Sequence, residues 1–171
     1  MTSLFKEVKT NEILLIQEPL VRKNRIGNAP KSHRQFVPSC TGRARVAILL
    51  PLDLSKKAMV LNTFSTADSI VLRIRIDNNT TLLLASIYMD ITQPVPIDII
   101  SRISSFAESE SLPLVVATDS NAHHTAWGHR SCNSRGRELL LSLSANNLIL
   151  ANTGNPRDPH GATAPREYTG R

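Results

Sequence analysis

Short apolar runs of four to eight residues recur along the chain, each closed by polar residues, and two longer segments of helical spacing separate the later ones. "ILLIQEP" (13–19) is an apolar run stopped by Gln17 and Glu18. Pro19 disfavours the helical region for the residue before it, so the segment reads as a buried strand with Glu18 extended. "RVAILLPL" (45–52), "SIVLRIRI" (69–76), "TLLLASIY" (81–88) and "LPLVVAT" (112–118) read as further strands, and "LILA" (148–151) as a short one. In 69–76, Arg73 and Arg75 alternate with Leu72, Ile74 and Ile76, the pattern of a half-exposed strand. "DNNT" (77–80) is a turn, which makes 69–88 a hairpin.

"IDIISRISSFAESE" (97–110) sets Ile99, Ile100, Ile103, Phe106 and Ala107 on one helical face. "SRGRELLLSLSANN" (134–147) predicts a helix with Leu139, Leu140 and Leu143 inward and Asn146 and Asn147 at its C-terminus. "TSLFKEVK" (2–9) predicts a short helix, while residues 20–44, polar and basic, read as loop, and 152–171 as loop or poorly ordered tail. Hairpins mixed with helix-linked strands give an α/β or α+β class with at least five strands, in a single domain over 1–171.

Three of the apolar strands end alike: one runs into Gln17 and Glu18, one into Tyr88 and then Asp90, one into Asp119 and Asn121. For one strand a polar turn explains this; three strands delivering polar groups at their C-terminal ends make a site on rigid elements an equal reading. Glu18 and Asp119 are hard oxygen ligands, suited to Mg²⁺ or Mn²⁺, which take one or two carboxylates and keep water and phosphate as their other ligands. Asn121 can orient a water or donate to a phosphate oxygen, and Tyr88 can donate its phenol hydrogen, or simply be a rim aromatic. Metal-assisted attack of water on a phosphodiester is the chemistry these parts suggest. His123, His124, His129 and Cys132 invite a zinc reading, but their spacing matches no zinc pattern.

Composition narrows the setting. The chain has 171 residues, 41% hydrophobic and 20% charged, enough to bury a core. No apolar run approaches the roughly 20 residues of a membrane span, the N-terminus lacks a signal-peptide pattern, and two cysteines make no disulfide framework, which favours a nuclear or cytoplasmic setting. Net charge is +7 over residues 1–57, −4 over 58–129 and +3 over 130–171. Basic flanks around an acidic middle are either a solvated surface or a clamp for a polyanion. On the second reading DNA is the partner, met by Arg22, Lys23, Arg25, Arg43 and Arg45 on one side and Arg130, Arg135 and Arg137 on the other.

"DSNAHHTAWG", "NSRGRELL" and "NNLILANTGN", with "ILLIQEP" and "SIYMD" in matching order, resemble the endonuclease domain of non-LTR retrotransposons of the jockey and R1 type. That domain belongs to the endonuclease/exonuclease/phosphatase superfamily, with the apurinic-site and DNase I-like nucleases. The resemblance implies a four-layer sandwich, two mixed β-sheets packed face to face with helices outside, and Mg²⁺-dependent nicking of DNA at the target site. It implies contact with element RNA through a parent polyprotein. It assigns Glu18 to the metal, Tyr88 to the phosphate, and Asp119 and Asn121 to the attacking water and the phosphate. It leaves His123 and His124 without a role. Thr118 stands where the family usually has glycine. The family's opening asparagine strand and its closing aspartate and Asp-His segments have no counterpart, so the sequence is expected to be a fragment, incomplete at both termini, that binds DNA and nicks it poorly. The alternatives are a non-cutting nucleic-acid-binding module of the same fold, or a phosphatase or phosphodiesterase for a small substrate.

Overall fold

A computed structural model of the chain describes Phe5 and residues 7–152. The first strand, β1 (Leu14–Gln17), is followed by a two-residue ribbon, β2 (Val21–Arg22) and β3 (Arg25–Ile26), then β4 (His33–Phe36) and β5 (Val46–Pro51). A single helical turn, α1 (Leu52–Ser55), leads to β6 (Ala58–Val60), β7 (Ser69–Arg75) and β8 (Thr81–Tyr88). Helix α2 (Ile97–Ser109), β9 (Leu114–Asp119) and helix α3 (Ser134–Ala145) complete the described elements.

Two sheets carry the molecule. The first has the order β1-β5-β4, all antiparallel, and the second β6-β7-β8-β9, antiparallel except for the parallel pair β8-β9. Successive side chains of a strand point to opposite faces, and the burial follows that rule. Val46, Ile48 and Leu50 of β5 and Phe36 of β4 pack against Ile70, Leu72 and Ile74 of β7 and Leu84 and Tyr88 of β8, forming the layer between the sheets. On the opposite face of the second sheet, Val71, Leu83, Ala85 and Ile87 meet Ile100, Ile103 and Ala107 of α2 and Leu139 of α3. The outer face of the first sheet, with Ile16, Ala47 and Leu49, is covered by Ile26 of the ribbon and by partly buried residues including Phe5 and Val21. The fold is thus mixed α and β, with two face-to-face sheets and α2 and α3 outside the second.

Both long helices stop in the same way. At the end of α2, Ser111 N donates to Glu108 O (3.0 Å) and Leu112 N to Ala107 O (2.8 Å), with Ser111 at φ 53°. At the end of α3, Asn147 N donates to Ser144 O (3.2 Å) and Leu148 N to Leu143 O (2.9 Å), with Asn147 at φ 55°. This paired arrangement satisfies the last carbonyls and turns the chain with one left-handed residue.

Several sequence expectations need correction. Residues 20–44 are not all loop: they hold β2, β3 and β4, and β4 is short, with His33 and Phe36 buried at its two ends and Arg34 exposed. The apolar run 45–52 leaves the strand conformation after Pro51, and α1 begins at Leu52. "LILA" (148–151) forms no strand, because Leu148 is taken into the stop of α3 and Ile149 is left 94% exposed. On α3 the buried positions are Gly136, Leu139 and Ser142, and Leu140 is only half-buried. Phe5 and Glu7 lie in turn conformation; the rest of the helix expected at 2–4, with residue 6, lies outside the described residues, as do 153–171 of the expected tail. Among the described residues no helix is long and apolar enough to cross a membrane.

Candidate active site

Register brings the expected residues to one end of the sandwich. Tyr88 and Asp119 are Cα partners on the parallel strands β8 and β9. Tyr88 packs into the layer between the sheets, so Asp119 shares that side of the second sheet. The ladder continues one step further, Met89 N donating to Asp119 O at 2.9 Å. Across the sandwich, the side chain of Gln17 at the end of β1 donates to Ser86 Oγ (3.0 Å) and to Ala117 O (3.3 Å). Ser86 Oγ in turn donates to Ile16 O at 3.2 Å. This polar pin docks the end of β1 on β8 and β9 and delivers Glu18 beside Tyr88. Burial, and then hydrogen bonding to the Glu18 carboxylate, pushes the Tyr88 phenol above its ordinary range.

Glu18 is not extended, as Pro19 had suggested; it sits at φ 52°, and Asn121 at φ 47°. A non-glycine residue in the left-handed region costs energy, and such outliers concentrate where a site needs a particular direction. Glu18 is held there by its own N–H, which donates to Arg45 O at 2.8 Å. Asn121 is held by Asp119 Oδ1, which accepts its N–H at 3.3 Å, and by its own Nδ2, which donates to Met89 O at 3.0 Å. Glu18 and Asp119 are exposed, and neither makes an ion pair among the described residues. Exposed carboxylates on either side of a phenol, with no ion-pair partner among the described residues, fit a hard divalent cation. Among the described residues no three His, Cys, Asp or Glu side chains cluster as a metal cage.

The sequence did not foretell the arginine at the centre of this end. Arg45, expected in the DNA-binding flank, is engaged within the protein. Its Nε and Nη2 donate to the two oxygens of Asp68 (2.5 and 2.6 Å), its Nη1 to Asp90, and its Cζ lies 4.7 Å from the centre of the Tyr88 ring. Arg45 N also donates to Ala67 O at 2.6 Å, and Tyr88 N to Asp68 O at 2.8 Å. Hydrogen bonds from Arg45, then from the backbone and hydroxyl of Thr92, hold the Asp90 carboxyl well below the usual carboxylate range. Through its guanidinium and its backbone carbonyl, which accepts from Glu18 N, Arg45 therefore joins the ends of β1, β5, β7 and β8 where they meet the site. A groove of about 360 Å³ runs beside it, lined by Asp68, Tyr88, Asp90 and Arg102 among others.

The turn after β9 is fixed from the start of α3. Asn133 Oδ1 caps the helix by accepting from Gly136 N (2.7 Å) and also accepts from His123 N (3.2 Å). Arg135, expected to face DNA, donates to Ser120 O (3.0 Å), Gln93 O (2.5 Å) and Asp90 O (3.0 Å). Gly136 lies so close to the turn that a Cβ there would sit 2.0 Å from His123 O. These contacts explain "NSRG" as a cap, a clamp and a close approach. Trp127 Nε1 donates to Ala122 O at 3.0 Å, while the rings of His123 and His129 stack 3.7 Å apart. His124 Nδ1 accepts from Ala126 N at 3.0 Å. Arg22, Lys23 and Arg25 are exposed on the β2–β3 ribbon, and Arg130 is exposed on the turn after β9.

Two comparisons with known proteins bear on the family and the fold. Residues 82–165, spanning Tyr88, Asp119, Asn121 and the clamp, match the family described as Endonuclease-reverse transcriptase. Over that stretch, 84 of the 171 residues, the chain is similar to this family. Its fold also superposes on a solved structure described as the endonuclease domain of TRAS1, a telomere-specific non-LTR retrotransposon, with a TM-score of 0.66 and 25% identity. The match covers 78% of this chain and 57% of that one, so the chain spans little more than half the length of this structural relative. No curated protein matches the sequence.

Proposed function

We propose that the chain is a metal-dependent endonuclease domain that hydrolyses phosphodiester bonds in DNA. The observation that carries this reading is the convergence of Glu18, Tyr88, Asp119 and Asn121 at one sandwich end, from three strands far apart in sequence. Glu18 and Asp119 are the residues that would hold Mg²⁺ or Mn²⁺, whose bound form lowers the pKa of water and offsets charge at the phosphate. The raised pKa of Tyr88 keeps its phenol protonated, and its one hydrogen, given to Glu18 here, would pass to a phosphate oxygen once Glu18 holds the metal. Asn121 has committed an amide hydrogen to Met89 O, which leaves its Oδ1 to accept from a water and hold it for attack. Exposed Arg22, Lys23, Arg25 and Arg130 provide phosphate contacts along the duplex. We place Arg45 and Arg135 outside that set, as residues that position the site.

The test is nicking of supercoiled plasmid with Mg²⁺ or Mn²⁺. Nicking that falls at least about 100-fold in Asp119→Ala supports the enzyme. The second reading is a module that binds DNA without cutting. It is favoured by the histidines, since His33, His123, His124 and His129 are all engaged away from these four residues. DNA binding without metal-dependent nicking in the wild type would select it.

A further inference from the structure

At the end of the second sheet opposite the carboxylates lies a shallow cavity of about 370 Å³, lined by Lys56, Lys57, Met59, Arg73, Arg75 and Thr81 among others. Its origin is a strand pattern that outruns its cover. Val71 of β7 faces the helices, so Arg73 and Arg75 face the same way by alternation. Their register partners Met59 and Thr81 share that face. Helix α2 ends at Ser109, and Glu110 just beyond it pairs with Arg73 at 3.0 Å. Past that point no helix among the described residues lies over the sheet, and Met59 stands 56% exposed.

The four cations are not equally committed. Lys56 pairs with Asp53 (2.8 Å) and Arg73 with Glu110. Lys57 donates to Ile76 O at 3.2 Å, and neither Lys57 nor Arg75 meets a carboxylate in an ion pair among the described residues. A concave, basic shelf with a polar Thr81 at its edge and two cations free of acid is chemistry for a phosphodiester backbone. From Ser69 to Arg75, β7 spans about 20 Å, and the shelf lies at its far end. A duplex lying across the carboxylate end, at right angles to the strands, would have to bend to meet it.

We propose that this shelf is a second nucleic-acid-binding surface, which holds the backbone of a separate or sharply bent strand through Lys57 and Arg75. It does not depend on catalysis at the other end.

The experiment measures binding of three probes to the full chain across a salt series: a 12-base-pair duplex, a 40-base-pair duplex and a single-stranded RNA of 30 nucleotides. Variants are Lys57→Ala/Arg75→Ala, the charge-keeping Lys57→Arg/Arg75→Lys, and Asp119→Ala. We expect the double alanine variant to bind the 40-base-pair duplex or the RNA about tenfold or more weakly. Its log–log salt slope should be shallower by about 2, near 0.9 per lost phosphate contact for duplex. The charge-keeping variant should match wild type, and Asp119→Ala should leave the effect of the double variant unchanged. A loss confined to the RNA identifies RNA as the ligand, and one confined to the long duplex identifies DNA. Equal affinities of wild type and the double alanine variant for both long probes would overturn the proposal. So would self-association of that variant, seen by sedimentation, with unchanged affinity of its monomer, since the cations would then guard the β6 edge against pairing.

Discussion

The strand ends that carry Glu18, Tyr88 and Asp119 and the turn that carries Asn121 fix their side chains by different means. Along the strands, direction comes from alternation and position from the ladder, over a core in which Ile48, Ile70 and Leu72 are fully buried. Any hydrophobic residue of suitable size maintains that arrangement. From Ser120 to Asn133 no strand pairs with the chain. There the backbone is located by single atoms: Asn133 Oδ1, the three Arg135 donors, the missing Cβ of Gly136 and Trp127 Nε1. The strand half is held by many exchangeable contacts, and the turn by a few that have no substitute.

The largest effect tests the strand half. Ile48→Ala, emptying the layer between the sheets, should lower unfolding stability by about 3 kcal/mol in urea titration. The folded fraction should keep its resonances in the turn. Disturbance of residues 120–133 in that variant would show that the two halves are not separate. Next comes Gly136→Ala, whose methyl would overlap His123 O and should cost about 2 kcal/mol. Here amide shifts should concentrate at 119–136, and any metal-dependent nicking should fall further than stability alone accounts for. An unmoved turn would break the comparison.

Arg135→Met should cost about 1–2 kcal/mol, since three carbonyls lose a charged donor but solvent reaches the half-exposed site. DNA affinity should change less than in Arg130→Met. A larger drop in affinity for the Arg135 variant would return it to the DNA-binding set.

The smallest effect is one of pH. Asp90 has a depressed pKa in the fold, so its contribution is present above its unfolded value, near 4, and is lost as pH falls below that value. The melting temperature of wild type should therefore decline more steeply than that of Asp90→Asn below about pH 4. Parallel declines would show that Arg45 does not stabilise the fold through Asp90.

How much of this was legible follows the same division. The ends of 13–17, 81–88 and 112–119 could be placed because apolar runs of strand length mark themselves, and the polar residues closing them proved to share one end. Alternation also gave the half-exposed character of Arg73. Strand β4 escaped notice because His33, Arg34 and Gln35 are polar, and its pairing to β5 relies on backbone groups that composition does not reveal. "LILA" misled because Leu148 serves the stop of α3, a use that leaves the same letters as a strand. Arg45 and Arg135 looked like DNA contacts because net charge in a segment says nothing about which carboxylates and carbonyls the fold brings to a guanidinium. Pro19 biased the expectation for Glu18, and the hydrogen bond to Arg45 O outweighed that bias.

Gln17 has a mechanical consequence. Two greasy sheets attract without direction and offer little resistance to sliding past one another. The carboxamide that crosses from β1 to Ser86 and Ala117 is directional, and it lies one residue before Glu18. It acts as a detent: slippage of β1 along the sandwich breaks both bonds at once, before the carboxylate has moved a full residue. The spacing of the two carboxylates is thereby set by the stiffness of one half-buried amide more than by the thickness of the core.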